Sequence, residues 1–237
     1  ALRSVSRQMN FIREAVQAFN RTGITSVQDN TWFGSSVRAF RRLHRRDELD
    51  VRVQCWEGGP IPVTRATTML QRYNPDWFAR GPVKYFLDGT YSSRTAYLSE
   101  DYAADPGRGK GLSSDSIYRF LRREAWLGRQ VACHSIGDQA THEYLEAQAR
   151  LLQERPAIRQ RRNRIEHAQL VMADDIERIA GMGMVVSAQP HAMYSLEKDV
   201  RILGEDRALR SYPYRSLLDA GVPLAFGSDI PGEASYA

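Results

Sequence analysis

His134, His167 and His191 each stand at or just beyond the end of a short strand-like run, in VACH (131–134), RIEH (164–167) and MVVSAQPH (184–191). Asp229 closes another such run, PLAFGSD (223–229). Imidazole nitrogens and carboxylate oxygens are the donors that hold Zn²⁺ or another divalent cation. Such a cation lowers the pKa of bound water from about 15.7 to about 7 and so supplies hydroxide near neutral pH. The chain has five histidines, and a random scatter would rarely put three of them at equivalent places. The remaining two, His44 and His142, lie in helix-like segments among charges and read as exposed surface residues.

Lys84 adds a different group. Of 33 basic residues only Lys84, Lys110 and Lys198 are lysines, and Lys84 alone lies in a strand-like run, VKYF. A chain that writes arginine nearly everywhere points, at this position, to a need for a primary amine. A desolvated lysine loses its proton where arginine does not. The neutral amine adds carbon dioxide to give a carbamate, an anionic oxygen ligand. The bland reading of Lys84 is an ion pair with Asp88, and that of His134 is a core histidine bonded to a backbone carbonyl. Glu166 points to the opposite side of its strand from His167 by the two-residue period and reads as structural. Asp138, opening a helix, reads as a cap for free amides.

The elements that must position these groups alternate along the chain. Val5, Met9, Ile12, Val16 and Phe19 form an apolar helix stripe that stops at Gly23. Strand-like GITSVQD (23–29), helical SSVRAFRRLHRR (35–46), strand-like VRVQCW (51–56), helical TRATTMLQRY (64–73) and strand-like VKYFLDG (83–89) follow. A polar stretch at 90–111 has no periodicity, and its length marks a functional loop or lid. Helices at 113–128, 138–154, 173–183 and 205–221 then separate strands at 131–135, 164–168, 184–189 and 223–229. Seven strands, each separated by a helix, predict an α/β fold with a parallel sheet, a (β/α)8 TIM barrel. The strand ends read as Asp29, Glu57, Lys84, His134, His167, His191 and Asp229. The aromatics Trp32, Phe33, Trp56, Tyr91, Tyr97, Tyr102 and Tyr194 lie on the loops of that mouth and suggest a substrate with an apolar or aryl group.

Composition narrows the function classes. At 237 residues, 42% hydrophobic and 26% charged, the chain is an ordinary globular one, with no apolar stretch near the roughly 20 residues that span a bilayer. Cys55 and Cys133 both sit in apolar runs, so no disulfide framework is indicated. The net charge of +5 comes with arginine runs interleaved with leucine and lacking stacking aromatics, which reads as solvated helix faces. An anion or nucleic-acid binder is the alternative those arginines allow, and its binding would weaken steeply with salt.

The motifs VKYFLDGTYSSRT, ACHSIGD, RIEHAQ, SAQPHAM and AFGSDIP, in that order, resemble the successive strand-end motifs of the amidohydrolase superfamily, in the branch that includes N-substituted formamide deformylase. The resemblance covers nearly the whole chain. It implies a binuclear site with two divalent metals, zinc in the first instance. Lys84 would be carboxylated and bridge them, His134 and His167 would hold the second metal, and Asp229 would ligate the first and shuttle the proton. His191 would face substrate and hydrogen-bond the transition state. The superfamily's His-x-His pair and flanking β-sandwich have no match here. The expectation is therefore an internal piece of a longer protein, residues 1–237 being strands two to eight of a hydrolase barrel domain that lacks the first strand and last helix. The expected function is metal-dependent cleavage of a non-peptide carbon–nitrogen bond in a small-molecule amide, by a cytoplasmic enzyme with no nucleic-acid or membrane partner; a homo-oligomer is left open. The rival expectation is a catalytically inactive barrel acting as a binding or scaffold module.

Overall fold

The computed structural model describes residues 4–31, 33–58, 64–193 and 195–229. The chain divides into two compact units, residues 1–84 and 85–237.

In the first unit, α1 (Val5–Arg21) leads to β1 (Ser26–Thr31), α2 (Gly34–His44), β2 (Arg52–Gly58), α3 (Thr64–Tyr73) and β3 (Phe78–Phe86), the last running through the division. β1 and β2 pair in parallel, Ser26 with Arg52 through Thr31 with Glu57, and β2 pairs in parallel with β3. The α1 stripe buries Met9 and Val16 against Val37, Phe40 and Leu43 of α2 and against Val53 and Cys55 of β2. This is the packing that the three-and-four spacing of apolar residues dictates. β3 begins five residues before the strand that VKYF suggests. FARG carries no alternating pattern, yet Phe78 and Ala79 pair with Val53 and Gln54 in the ladder.

In the second unit α4 (Ser114–Trp126), β4 (Val131–Ser135), α5 (Asp138–Glu154), β5 (Arg164–His167), α6 (Ala173–Gly181) and β6 (Val185–Ala188) alternate. Then come α7 (Leu196–Leu203), α8 (Glu205–Arg210), α9 (Tyr214–Asp219) and β7 (Leu224–Phe226). All pairings among β4 to β7 are parallel. The core lies between strands and helices, where Cys133, Ile165 and Val186 meet Leu121, Tyr144, Leu145 and Ile179. Among the described residues seven strands form one sheet, and their hydrogen-bonded order is the chain order. Parallel strands in chain order with helices between them are the topology of the (β/α)8 barrel, here with seven strands.

One expected helix, at 205–221, is two. α8 stops at Arg210 and Tyr212 takes φ 56°. Pro213 follows and disfavours helical geometry in the residue before it. α7 has no counterpart in the sequence reading, though Ser195 caps it by accepting the Lys198 amide at 3.3 Å. No helix among the described residues is long and apolar enough to cross a membrane.

Neither Cys55 nor Cys133 forms a disulfide, and both are buried. Burial, with the nearby Asp29 carboxylate adding to it, pushes the Cys55 thiol up to about 12. A thiol that high holds almost no thiolate at neutral pH, and Cys133 has no exposed surface. Native protein at pH 7.5 is expected to leave both thiols untouched by Ellman's reagent over an hour. Denaturation in guanidinium should then release both; titration of either before denaturation would contradict this packing.

Candidate functional site

The two strand-end histidines of the second unit meet. The ring centroids of His134 and His167 lie 4.5 Å apart, inclined at 68°. Both residues are 8% exposed. The contact does not follow from strand geometry alone. β4 and β5 pair His134 with Glu166 and Ser135 with His167, and partners in a parallel ladder share a face. Ser135 is fully buried and its hydroxyl meets that of Thr141 on α5 at 2.9 Å. Strict alternation would therefore send His167 toward the helices. Instead His167 adopts φ 80° and Ala168 φ 47°, a region rarely used by residues with a side chain. That backbone turn brings the His167 ring to His134. Strain of this kind, of order 1–3 kcal/mol per residue, persists only where surrounding contacts enforce it and clusters at functional sites.

One nitrogen of each ring faces an oxygen acceptor. His134 Nε2 lies 2.9 Å from the Gly89 carbonyl oxygen, which only accepts, so Nε2 carries the proton. His167 Nδ1 lies 2.6 Å from Gln189 Oε1. The orientation of that amide is set from its other end, where Nε2 donates to the Ser187 carbonyl at 3.4 Å. Nδ1 of His167 is thus the donor. In a neutral imidazole the second nitrogen then bears the lone pair: Nδ1 in His134 and Nε2 in His167. This is the state in which histidine ligates a metal, with its other N–H donated to an oxygen.

Asp88, named in the sequence only as an ion-pair partner for Lys84, organises the site. Its side chain is fully buried and accepts backbone N–H groups from Gly137 at 2.8 Å, Tyr97 at 3.0 Å and Ile136 at 3.1 Å. His134 Nε2 stands 3.5 Å from Asp88 Oδ1. Burial pushes the Asp88 carboxyl up to about 6, against the opposing pull of the three amides. The only prior signal was the dipeptide Asp88-Gly89 after a strand. Gly89 is required because a Cβ there would fall 1.9 Å from Thr95 Oγ1.

The segment 90–111 has no helix or strand, yet it is packed rather than open. Tyr91, Ala96, Leu98 and Tyr102 are buried with Ile136, Leu170 and Leu203 in a small core of their own. Asp138 accepts the Ser99 amide at 2.9 Å and the Ser99 hydroxyl at 2.5 Å, besides the Gln139 amide at 3.0 Å. As the first residue of α5, whose N-cap is Gly137, it takes one first-turn amide and also ties down the loop. Arg207 on α8, itself buried, donates to the carbonyls of Glu100 at 3.2 Å and Asp101 at 2.6 Å. Tyr91 and Tyr102 are therefore loop core, not substrate surface, and Trp56 is buried in the first unit. Phe33 and Tyr97 are half-buried; Trp32 and Tyr194 lie outside the described residues. The aromatic surface beside the histidine pair is Phe86, half exposed, whose ring centroid lies 5.4 Å from that of His134. A cleft of about 420 Å³ borders it, lined by Phe86, Gly89, Thr95, Lys110 and Leu112.

The other expected residues fall elsewhere. In the first unit, Lys84 is buried near the end of β3, paired in register with Gly58. Asp29 lies inside β1 rather than at its end, with burial raising its carboxyl and the Thr31 hydroxyl opposing that. Glu57 is buried and structural, taking Arg80 at 2.8 Å and Thr67 at 2.9 Å. In the second unit, His191 is exposed on the 3-10 turn Pro190–Met193. Asp229 is exposed just after β7 with φ 50°. Glu166 is structural as expected but for another reason: it shares the face of His134 and is occupied by Arg164 at 2.8 and 3.2 Å. His44 and His142 are not the exposed residues their charged neighbours suggest. His44 is half-buried among Tyr73, Trp77 and Phe78. His142 ties α5 to α6 through Asp175 at 3.0 Å. Among the described residues, no three His, Cys, Asp or Glu side chains cluster closely enough to hold an ion.

Comparison with known proteins adds to this geometry. Residues 2–235 match the amidohydrolase family. N-substituted formamide deformylase of Arthrobacter pascens is 24% identical over 245 residues, 98% of this chain and 44% of that protein. YtcJ of Bacillus subtilis (strain 168) is 33% identical over 167 residues, 69% of this chain and 31% of that one. The crystal structure of an uncharacterized metal-dependent hydrolase from Pyrococcus furiosus superposes with a TM-score of 0.79 at 30% identity, covering 96% of this chain and 47% of the other. The chain thus spans less than half the length of each of these relatives.

The anchoring of residues 90–111 is directly testable. Arg207→Ala in the full-length protein removes three carbonyl contacts made by one buried guanidinium. Limited trypsin digestion is expected to cut at Arg108 or Lys110 at least tenfold faster than in the parent, with the far-ultraviolet circular dichroism unchanged. An unchanged cutting rate would show that the apolar core of the loop suffices.

Proposed function

Because the chain belongs to the amidohydrolase family, we propose that it forms the barrel domain, residues 1–237, of a metal-dependent hydrolase that cleaves a non-peptide carbon–nitrogen bond of the amide or formamide type. The observation that carries this reading is the buried His134–His167 pair with each ring held in one tautomer. Two imidazoles so prepared suit zinc or another divalent cation. They supply two donors. Lys84, as its carbamate, and Asp229 would complete the set for two cations. When bound, such cations polarise a carbonyl and activate water near neutral pH.

The residues of the chain then have separate tasks. Asp229 accepts a proton from the attacking water and delivers it to the leaving nitrogen. The carbon–oxygen bond forms as the carbon–nitrogen bond breaks, and the products are a carboxylic acid and an amine. His191 donates a hydrogen bond to the carbonyl oxygen as charge develops there. Phe86 and the cleft beside it offer an apolar face to a small amide carrying an alkyl or aryl group.

Elemental analysis of the purified full-length protein, with a panel of formamides and aryl amides, tests the reading. Stoichiometric divalent metal and turnover of neutral apolar amides are expected. Asp229→Asn should lower kcat by about 10²–10⁴-fold, the usual range for a lost general acid–base, while metal content stays mostly intact. Activity within threefold of the parent would remove Asp229 from proton transfer. Protein without divalent metal, inert on the whole panel, would overturn the function.

A further inference from the structure

Asp88 touches the site from a position that the metal reading does not use. Residues 87 to 89 wrap His134 at three points. The Leu87 amide donates to the His134 carbonyl at 3.0 Å, Asp88 Oδ1 lies 3.5 Å from Nε2, and the Gly89 carbonyl takes Nε2–H at 2.9 Å. Asp88 is itself anchored. Its anchors come from two other segments, Tyr97 in the loop and Ile136 and Gly137 in the turn between β4 and α5. At Gly137 the fit is close: a Cβ there would lie 2.0 Å from the Tyr97 carbonyl oxygen.

We propose that Asp88 is a positioning residue that fixes the tautomer of His134, clamping the Gly89 carbonyl against Nε2 so that the ring's lone pair lies on Nδ1. The chemistry is one of donors and acceptors. A carboxylate accepts at both oxygens, so it satisfies three converging N–H groups and keeps a negative edge toward Nε2–H. An amide of the same shape cannot: its NH₂ must face a backbone N–H or the imidazole N–H. Residue 88 then moves, Gly89 moves with it, and His134 loses the acceptor that selects its tautomer. A metal ligand whose proton can sit on either nitrogen binds its ion less tightly. This inference rests on the proposed function only where it speaks of metal; the tautomer is a property of the metal-free chain.

The experiment follows the ring itself. Full-length, metal-free protein labelled with ¹⁵N-histidine is read by long-range ¹H–¹⁵N correlation, with His134→Gln used to assign the signals. The parent is expected to show His134 protonated on Nε2; protonation on Nδ1 overturns the inference without any variant. In Asp88→Asn the signals should pass to a mixture of tautomers, and zinc affinity by competition with a chelator dye should fall about 10–100-fold, as for other second-layer partners of metal ligands. An Asn variant that keeps the Nε2–H form and binds zinc within twofold of the parent, losing only melting temperature, makes Asp88 merely structural and overturns the inference. A parent that shows the Nε2–H form, with the mixture in the variant, yet takes up no zinc supports the tautomer lock while overturning the metal reading.

Discussion

A carboxylate removed from water must find donors or give up its charge, and Asp88 finds its donors in segments far apart in the sequence. Tyr97 is nine residues away, and Ile136 and Gly137 are 48 and 49 residues away. An unpaired buried charge costs several kcal/mol, so those segments are held to hydrogen-bond distance of a single side chain. The end of β3, the loop after it and the turn after β4 thereby become one rigid object. The surroundings of His134 inherit their position from that requirement.

The second constraint is backbone strain. Barrel strands place side chains on alternate faces, and a residue at a strand end is ordinarily committed to one of them. His167 escapes by taking φ 80°, with Ala168 beside it at 47°. The Gln189 carboxamide bonded to its ring at 2.6 Å, and the burial of Ala168 in the core between strands and helices, are contacts able to hold that conformation. The pair is therefore built by departing from regular structure where the site begins, while the rest of β4 and β5 stays regular and supplies the core.

This division explains what the sequence could and could not show. Short strand-like runs between helical segments reveal β4, β5 and β6, whose residues are nearly all buried on both faces. The same logic marks His134, a polar residue closing the apolar run VAC, and His167, at the matching end of RIEH. The start of β3 was hidden because FARG is held by ladder pairing with β2 and by close approach: a Cβ on Gly81 would fall 2.2 Å from the Trp56 ring. The role of Asp88 was hidden for a similar reason, as its partners are backbone amides, which carry no sequence signature. Tyr91 and Tyr102 misled because aromatics in a polar loop look like binding surface. A long loop needs its own apolar core as much as a helix does, and these two residues provide it. His44 and His142 misled through their charged neighbours: charge density along a helix says little about the face that packs, and His142 is turned toward Asp175.

Polar hubs differ from apolar packing in how they fail. An apolar core that loses a methyl group relaxes and keeps most of its contacts. Asp88, Asp138 and Arg207 instead hold their segments by sets of hydrogen bonds that are complete only when every partner is in place. Because a half-satisfied buried network is costly, the loop at 90–111 is held by these sets together rather than by any one bond. A site that must hold two imidazoles in defined tautomers gains from that behaviour, since tautomer choice depends on tenths of an ångström at a single acceptor. The loop without secondary structure is accordingly as much a part of the frame around His134 as the strands are.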